Sequence, residues 1–456
     1  MLGENRQKRG NGVVIDAKQT TGSVVLIAGV DAGSTETRVC LSDYNDAQVF
    51  ADNSRMRNAL DALLTTYRIP STYAEADDSR EISPVSDALD DNYDSVVILV
   101  HNTADKPLLG RTRVLRGRKI QDAMGVVPQF LDSSTNKTDN VIFYTNIIDA
   151  LGYAVMQKYN GAIPAEVNIY LTLSVRPKEL TSFCKKKMNE NLVGSFMYNW
   201  RSISMKINIC GLDFTTEPEA EISGTTTVYD LRAACGIDAQ RHTEMANRLD
   251  GSDCFVHIEG GGSSIGVEVL RGGSILDACS STFPLGGNYM AQVFIDQYRE
   301  NTGRTVTRDA ANGAIINCTL RDGRNVVDVS QLVSQCKNQV ARSILEGIRH
   351  DVIDVMSDLT LRDIEFFTLG GRLFAPDEGG TTIGEYFTKY VQQLAPNTDV
   401  ITLPENFIAQ GNLVIGLNSD SAAKLRSAPP PVRLMNDGPG ASNKPAEDIP
   451  ENEDIN

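Results

Sequence analysis

The sequence predicts an α/β fold, and three observations carry that expectation. Hydrophobic periodicity switches repeatedly between strand-like and helix-like spacing along the chain. Three of the apolar runs empty directly into glycine-rich turns, at 30–39, 258–264 and 369–372. The length, 456 residues with 41% hydrophobic, is enough for two or three domains with cores of their own.

Taken in order, residues 1 to about 22 are polar and predict a disordered N-terminal arm. Strands are expected at 24–30, 94–101, 167–173, 204–210, 254–259 and 364–369, each a short apolar run bounded by turn residues. Asn140 to Tyr159 repeats apolar residues at helical spacing through Val141, Tyr144, Ile148, Leu151 and Val155. Ser330 to Ser357 does so through Leu332, Cys336, Val340, Ile344, Ile348, Val352 and Met356. Both stripes should face a core. From Ser427 the chain turns to Pro429-Pro430-Pro431, Gly438-Pro439-Gly440 and a run of acids, which cannot bury enough surface to offset ordering. Residues 425–456 are therefore expected to be a disordered acidic tail.

The glycine turns carry the chemistry. Val24 to Val30 delivers Asp31, Gly33, Ser34 and Thr35 into a tight turn, with Arg38 just beyond. Cys254 to Ile258 delivers Glu259, then Gly260, Gly261, Gly262, Ser263 and Ser264. Consecutive glycines weaken a strand and pack nothing, so close approach of backbone to a ligand explains them. Backbone N–H groups in such turns suit a phosphate chain, although turn capping by the hydroxyls is the plainer alternative. The third strand ends in Gly370, Gly371 and Arg372.

In order and separation, these segments resemble the two phosphate motifs and the adenosine motif of the actin-like ATPase superfamily, which also holds heat-shock chaperones and sugar kinases. The Asp31-Ala32-Gly33-Ser34-Thr35 motif is most similar to that of the ParM (StbA) plasmid-segregation bacterial actins. Pro284-Leu285-Gly286-Gly287-Asn288 resembles their turn opening a helix, and Pro404 to Gly411 their closing segment. The resemblance spans roughly residues 24 to 418. It implies an actin-like (ribonuclease H-like) fold of two lobes with a nucleotide cleft between them. Lobe I would take residues 23–250, with a small subdomain at about 51–140. Lobe II would take 251–403, with one at about 291–354, and 404–424 would return to lobe I.

The resemblance also assigns roles. Gly33, Ser34, Thr35 and Arg38 on one side, and Gly260 to Ser264 on the other, would hold the phosphates of ATP, with GTP as the alternative nucleotide. Gly370 and Gly371 would approach the ribose and α-phosphate, and Arg372 would cover the base or else face solvent. Mg²⁺ would be held through water by Asp31 and Glu259, since this ion keeps most of its hydration shell. Glu259 stands where the family usually has aspartate, Gly266 where ParM-like chains carry a second aspartate, and Arg38 replaces the usual lysine. The water-orienting acid would lie in Thr216-Glu217-Pro218-Glu219: Glu217 fits the Glu-Pro order of the chaperones and MreB, Glu219 the Pro-Glu order of ParM. Either acid could instead only favour the helix dipole.

Composition narrows the partners. A net charge of −16 disfavours general attraction to nucleic acid or anionic lipid, so DNA would be reached only through an adaptor. The eight cysteines form no C-x-x-C pair and the four histidines no ligand spacing, which points to reduced thiols and away from a zinc site. No apolar run reaches membrane-spanning length and no signal peptide is evident, so a cytoplasmic protein is expected. Lys106 to Lys119, with Arg111, Arg113, Arg116 and Arg118, inverts the local charge, either as a solvated hairpin face or as a contact for an acidic partner surface. The function expected is an ATP-dependent, self-assembling filament protein that segregates or positions plasmid or phage DNA through a DNA-binding adaptor. A non-polymerising small-molecule kinase of the same superfamily is the alternative, and a chaperone-like module a third reading that the short acidic tail disfavours.

Overall fold

A computed structural model describes residues 18–43, 56–76, 94–100, 110–117, 119–120, 127–129, 136–160, 162–200, 202–322, 325–355, 359–375, 380–403 and 406–420. Most of the expected N-terminal arm, the whole expected tail, and Lys106 and Arg118 of the basic run lie outside the described residues.

Two sheets organise the chain. The first is built from β1 (Lys18–Ala32), β2 (Glu36–Asp43), β3 (Tyr67–Pro70), β4 (Ala74–Glu75), β5 (Asp94–Leu99), β6 (Arg111–Leu115), β7 (Ala162–Val175), β8 (Gly194–Trp200) and β9 (Ile203–Thr216), in spatial order β3-β2-β1-β7-β9-β8-β5-β6-β4. Its centre is parallel: Val30 pairs with Leu173 across β1 and β7, and Leu173 with Phe214 across β7 and β9. The second contains β10 (Cys254–Gly260), β11 (Ile265–Arg271), β12 (Ser274–Ile275), β13 (Ser281–Phe283), β16 (Phe366–Gly370) and β17 (Asp399–Thr402), in order β12-β11-β10-β16-β17 with β13 also on β11. Strands β14 (Thr319–Asp322) and β15 (Asn325–Asp328) form a separate hairpin. Every strand expected from periodicity is present, most with longer ends because ladder pairing continues past the apolar run.

The helices are α1 (Met56–Leu64), α2 (Val141–Lys158), α3 (Ser182–Leu192), α4 (Glu217–Ala234), α5 (Ala239–Gly251), α6 (Gly287–Thr302), α7 (Arg308–Asn317), α8 (Ser330–Ile348), α9 (Ile383–Leu394) and α10 (Ile408–Leu417). The Asn140 side chain caps α2 by accepting from Ile142 N at 2.9 Å. The apolar face of α2 joins Val167, Ile169, Leu171 and Leu173 in the first core. That of α8 meets β10 and β16 in the second, and the helix continues past Ile348 as one π turn, Arg349–Ile353. Met356 and Ser357, the last residues of the expected stripe, lie outside the described residues. Among the described residues no helix is long and apolar enough to cross a membrane.

One contact holds α4 and α10 together at backbone distance. A Cβ on Gly411 would stand 1.7 Å from the Ala220 carbonyl oxygen, and one on Gly224 2.3 Å from that of Phe407. Only glycine allows this crossing. The Asn412 amide then donates to Val30 O at 2.7 Å, fastening α10 to β1.

Two residues of the basic run depart from both of its readings, while Arg111 is exposed. Arg116 has no exposed surface. Its Nε donates to Asp149 Oδ2 at 2.6 Å and its Nη2 to Asn146 Oδ1 at 2.9 Å, both on α2, while Nη1 reaches Pro70 O. Ser95 Oγ donates to the other Asp149 oxygen at 2.7 Å. Arg113 pairs with Asp94 across the β5–β6 hairpin, its Nε donating at 3.1 Å. These charges are spent inside the lobe.

Removing either half of the buried pair should therefore be severe. Arg116→Ala and Asp149→Ala are each expected to lose about 3–5 kcal/mol in urea denaturation, because the partner is left charged in an apolar core. The double variant should lose clearly less than the sum, and simple additivity would contradict the pairing.

Candidate functional site

The parallel strands of both sheets end at one place. Beyond β1 come Gly33, Ser34 and Thr35, beyond β7 Arg176, and beyond β9 Glu217 at the start of α4. From the second sheet, β10 ends at Glu259-Gly260 and β16 at Gly370. The carboxyl ends of parallel strands are where open α/β sheets place ligands. Here they border a cleft of about 840 Å³ lined by Asp31, Gly33, Ser34, Thr35, Arg38, Glu217, Glu259, Gly261, Gly262, Ser263, Ser264 and Arg372 among others.

Both turns are held from behind. Ser71 Oγ donates to Gly33 O at 2.6 Å and Ser71 N to Thr35 O at 3.0 Å. Gly287 N and Asn288 N, at the start of α6, donate to Gly261 O and Gly262 O at 3.1 and 2.7 Å. The loops meet: a Cβ on Gly262 would lie 2.8 Å from Ser34 Oγ. The buried Ser263 hydroxyl has no hydrogen-bond partner among the described residues. Paired loops of N–H groups and hydroxyls, with an unspent buried donor, suit a phosphate chain.

Three carboxylates converge beside them. Asp31 is pushed up from its ordinary 3.8 to about 6 by burial, opposed by Arg38 and reinforced by Glu217. Arg38 stands 3.7 Å from Asp31 and is itself held by Glu36. Glu259 is held well above the carboxylate range by burial and by repulsion from Glu217, Glu221 and Asp31. Lys137 forms a buried ion pair with Glu217. Such a cluster favours an added cation. Among the described residues no three acids, cysteines or histidines stand close enough to ligate a metal directly. Carboxylates grouped in this way suit a hydrated divalent ion held through its waters.

Several expected site residues lie elsewhere. Glu219 does not line the cleft; its carboxylate accepts from the Thr215 hydroxyl and its N–H donates to Thr216 Oγ1, so it completes the cap of α4. Gly370 and Gly371 lie behind the wall. A Cβ on Gly370 would collide with the Glu221 carboxylate at 2.0 Å, and Gly371, at φ +79°, donates its N–H to Glu221 Oε1 at 3.1 Å. These glycines make room for protein. Gly260 closes the same wall, where a Cβ would meet Leu373 Cβ at 2.7 Å. At Gly266 a Cβ would stand 3.1 Å from Pro218 Cγ, so an aspartate there would require the proline to give by a few tenths of an ångström.

Sequence reasoning missed four groups. Lys137 and Arg176 line the cleft without belonging to any local motif. Glu221 and His257, both fully buried, join at 3.1 Å, with His257 Nδ1 at 2.8 Å from Thr368 Oγ1, and so tie α4 to β10 and β16. The cleft lining also includes the apolar residues Met290, Ile315, Ile316, Leu373 and Ile383, together with Asn312 and Lys337.

No family model matches the sequence, and no curated protein does. Solved structures do. The archaeal actin homologue Ta0583 superposes with a TM-score of 0.57 at 14% identity, over 86% of this chain and 99% of that one. A ParM from a 15-stranded filament of Clostridium botulinum gives 0.55 at 11% identity, over 87% and 100%. ParM of Bacillus thuringiensis with ATP gives 0.50 at 12% identity, over 86% and 98%. The chain has the two-lobed actin-like fold.

The raised Asp31 pKa has a stability consequence in the protein without ligand. Its folded value exceeds the unfolded one, so the stability present below pH 4 is lost as pH rises through about 6. Asp31→Asn should remove that penalty, adding up to roughly 3 kcal/mol above pH 7 and almost nothing at about pH 4. Urea denaturation at the two pH values measures the difference, and an equal effect at both would contradict it.

Proposed function

We propose that this chain is a ParM-like bacterial actin: an ATPase that assembles into filaments and segregates or positions plasmid or phage DNA through a DNA-binding adaptor. The observation that carries the reading is the meeting of two glycine–hydroxyl loops, one from each sheet, beside a buried acid cluster. A nucleoside triphosphate matches that arrangement in charge and in donors, and the apolar lining residues are available for a base. The assembly part draws its support from the C. botulinum ParM, solved as a filament. The choice of ATP, with GTP as the alternative, draws on the B. thuringiensis ParM solved with ATP.

In this reading Gly33, Ser34, Thr35, Gly261, Gly262, Ser263 and Ser264 bind the phosphates, helped by Arg38, and Arg372 flanks the base. Asp31 and Glu259 hold Mg²⁺ through water, and the ion supplies charge neutralisation on the phosphates. Glu217, at the cleft, orients the attacking water, while Glu219 caps its helix. Phosphoryl transfer asks little else of a protein than positioning and electrostatics. The division into lobes near residue 250, the cytoplasmic location and the adaptor belong to the same proposal.

Filaments are expected when ATP or a non-hydrolysable analogue is added with Mg²⁺, read by light scattering and negative-stain imaging. Glu217→Gln should slow hydrolysis about 10²–10⁴-fold while leaving assembly with the analogue intact, and Glu219→Gln should stay near the parental rate. Persistent monomers that phosphorylate an added small molecule would overturn the filament reading in favour of a kinase.

A further inference from the structure

Two of the buried cations lining the cleft, Lys137 and Arg176, are not accounted for by the phosphate loops. Lys137 opens a short 3₁₀ turn, Lys137–Asp139, before α2, and Arg176 directly follows β7; they are 4% and 7% exposed. They come from segments far apart in sequence, yet one carboxylate sets both. Glu179 Oε1 accepts from Lys137 N at 3.2 Å and stands 3.5 Å from Arg176 Nη1.

Neither cation is fully used by the protein. Lys137 has three donors on its ammonium, one of them directed at Glu217. Arg176 Nε is buried with no hydrogen-bond partner. An unmet guanidinium N–H is unfavourable, and the guanidinium that carries it belongs to a residue lining the cleft, where an anion would be drawn to its charge. Arg38 is differently placed, because Glu36 and Asp31 already match its charge.

We propose that Lys137 and Arg176 bind the terminal phosphoryl group of the nucleoside triphosphate and so distinguish it from the diphosphate. This rests on the functional reading above. If Glu217 orients the water that attacks the terminal phosphorus, that phosphoryl group lies within one water of Glu217, and hence within reach of the ammonium paired with it. The terminal phosphate then competes with Glu217 for Lys137. Binding of the triphosphate frees the Glu217 carboxylate to hold water, and loss of the phosphate restores the pair. Lys137 thus couples occupancy of the terminal position to the readiness of the acid beside it. Arg176 contributes a planar guanidinium fork from the lining of the same cleft.

The test compares affinities for ADP and for a non-hydrolysable ATP analogue, each with Mg²⁺, by calorimetry on the full chain and on Lys137→Gln and Arg176→Gln. Each substitution removes one charge-assisted contact, so analogue affinity should fall about tenfold to a hundredfold while ADP affinity stays within about twofold. Lys137→Arg should retain most of the discrimination. A purely structural role would weaken both nucleotides together, and that result, or unchanged affinity for both, overturns the inference. The two variants are independent, so failure of one to fold leaves the other decisive. Parental protein that binds neither nucleotide overturns the functional reading as well; parental protein that binds both, with variants that discriminate as it does, overturns this inference alone.

Discussion

The crossing of α4 and α10 at backbone contact is the constraint on which the site depends. Because Gly411 and Gly224 bring the two helices together with no side chain between them, the first turn of α4 is held at the carboxyl ends of the first sheet. The same helix also reaches the second sheet. Pro218 packs over Gly266 of β11, and Glu221 bonds both His257 of β10 and the Gly371 amide. Glu217 therefore sits on an element clamped by both sheets, and its position relative to both loops is set by packing. A side chain at 224 or 411 would push the helices apart and move that acid before anything in the cleft was touched.

The cleft itself is built against stability. Asp31, Glu217 and Glu259 are buried together, with Lys137 and Arg38 partly offsetting them. Burying like charges is unfavourable, and the raised pKa values of Asp31 and Glu259 express that strain. A site strained in this way gains more from a bound cation than a relaxed one, since binding removes a penalty the folded chain already carries. The unspent Ser263 hydroxyl and Arg176 Nε are the matching deficit on the anion side. Deficits of opposite sign at one cleft are what a metal–anion ligand would satisfy together.

Much of the fold was legible because the core strands are short apolar runs and the loops are dense in glycine. Asp31-Ala32-Gly33-Ser34-Thr35 and Glu259 to Ser264 announce themselves locally, and the structure brings both to one cleft. What failed was long-range. Lys137 meets Glu217 across 80 residues, and nothing near position 137 signals a partner. Arg116 reads as surface charge until Asp149, 33 residues on and in the apolar stripe of α2, is placed beside it. Gly370 and Gly371 were misread for a different reason. Glycine reports only that something approaches closely, and here the visitor is the chain's own Glu221 carboxylate. Glu217 and Glu219 could not be separated by motif, but one faces the cleft and the other its own helix cap.

The contact of Gly262 with Ser34 also bears on how a ligand could act at a distance. The two loops belong to different sheets, and their donors converge only when the sheets stand at an angle that brings them together. A ligand bridging both loops has its full affinity for that arrangement and less for any more open one, so binding shifts the balance between them by that difference. A ligand reaching one loop alone would bind without shifting it. Under the proposed function the terminal phosphate is the bridging group, and its loss removes the differential affinity while the remainder of the nucleotide stays bound. On that proposal the lobe angle would follow the number of phosphates, and any surface shared between protomers across both lobes would inherit the same dependence.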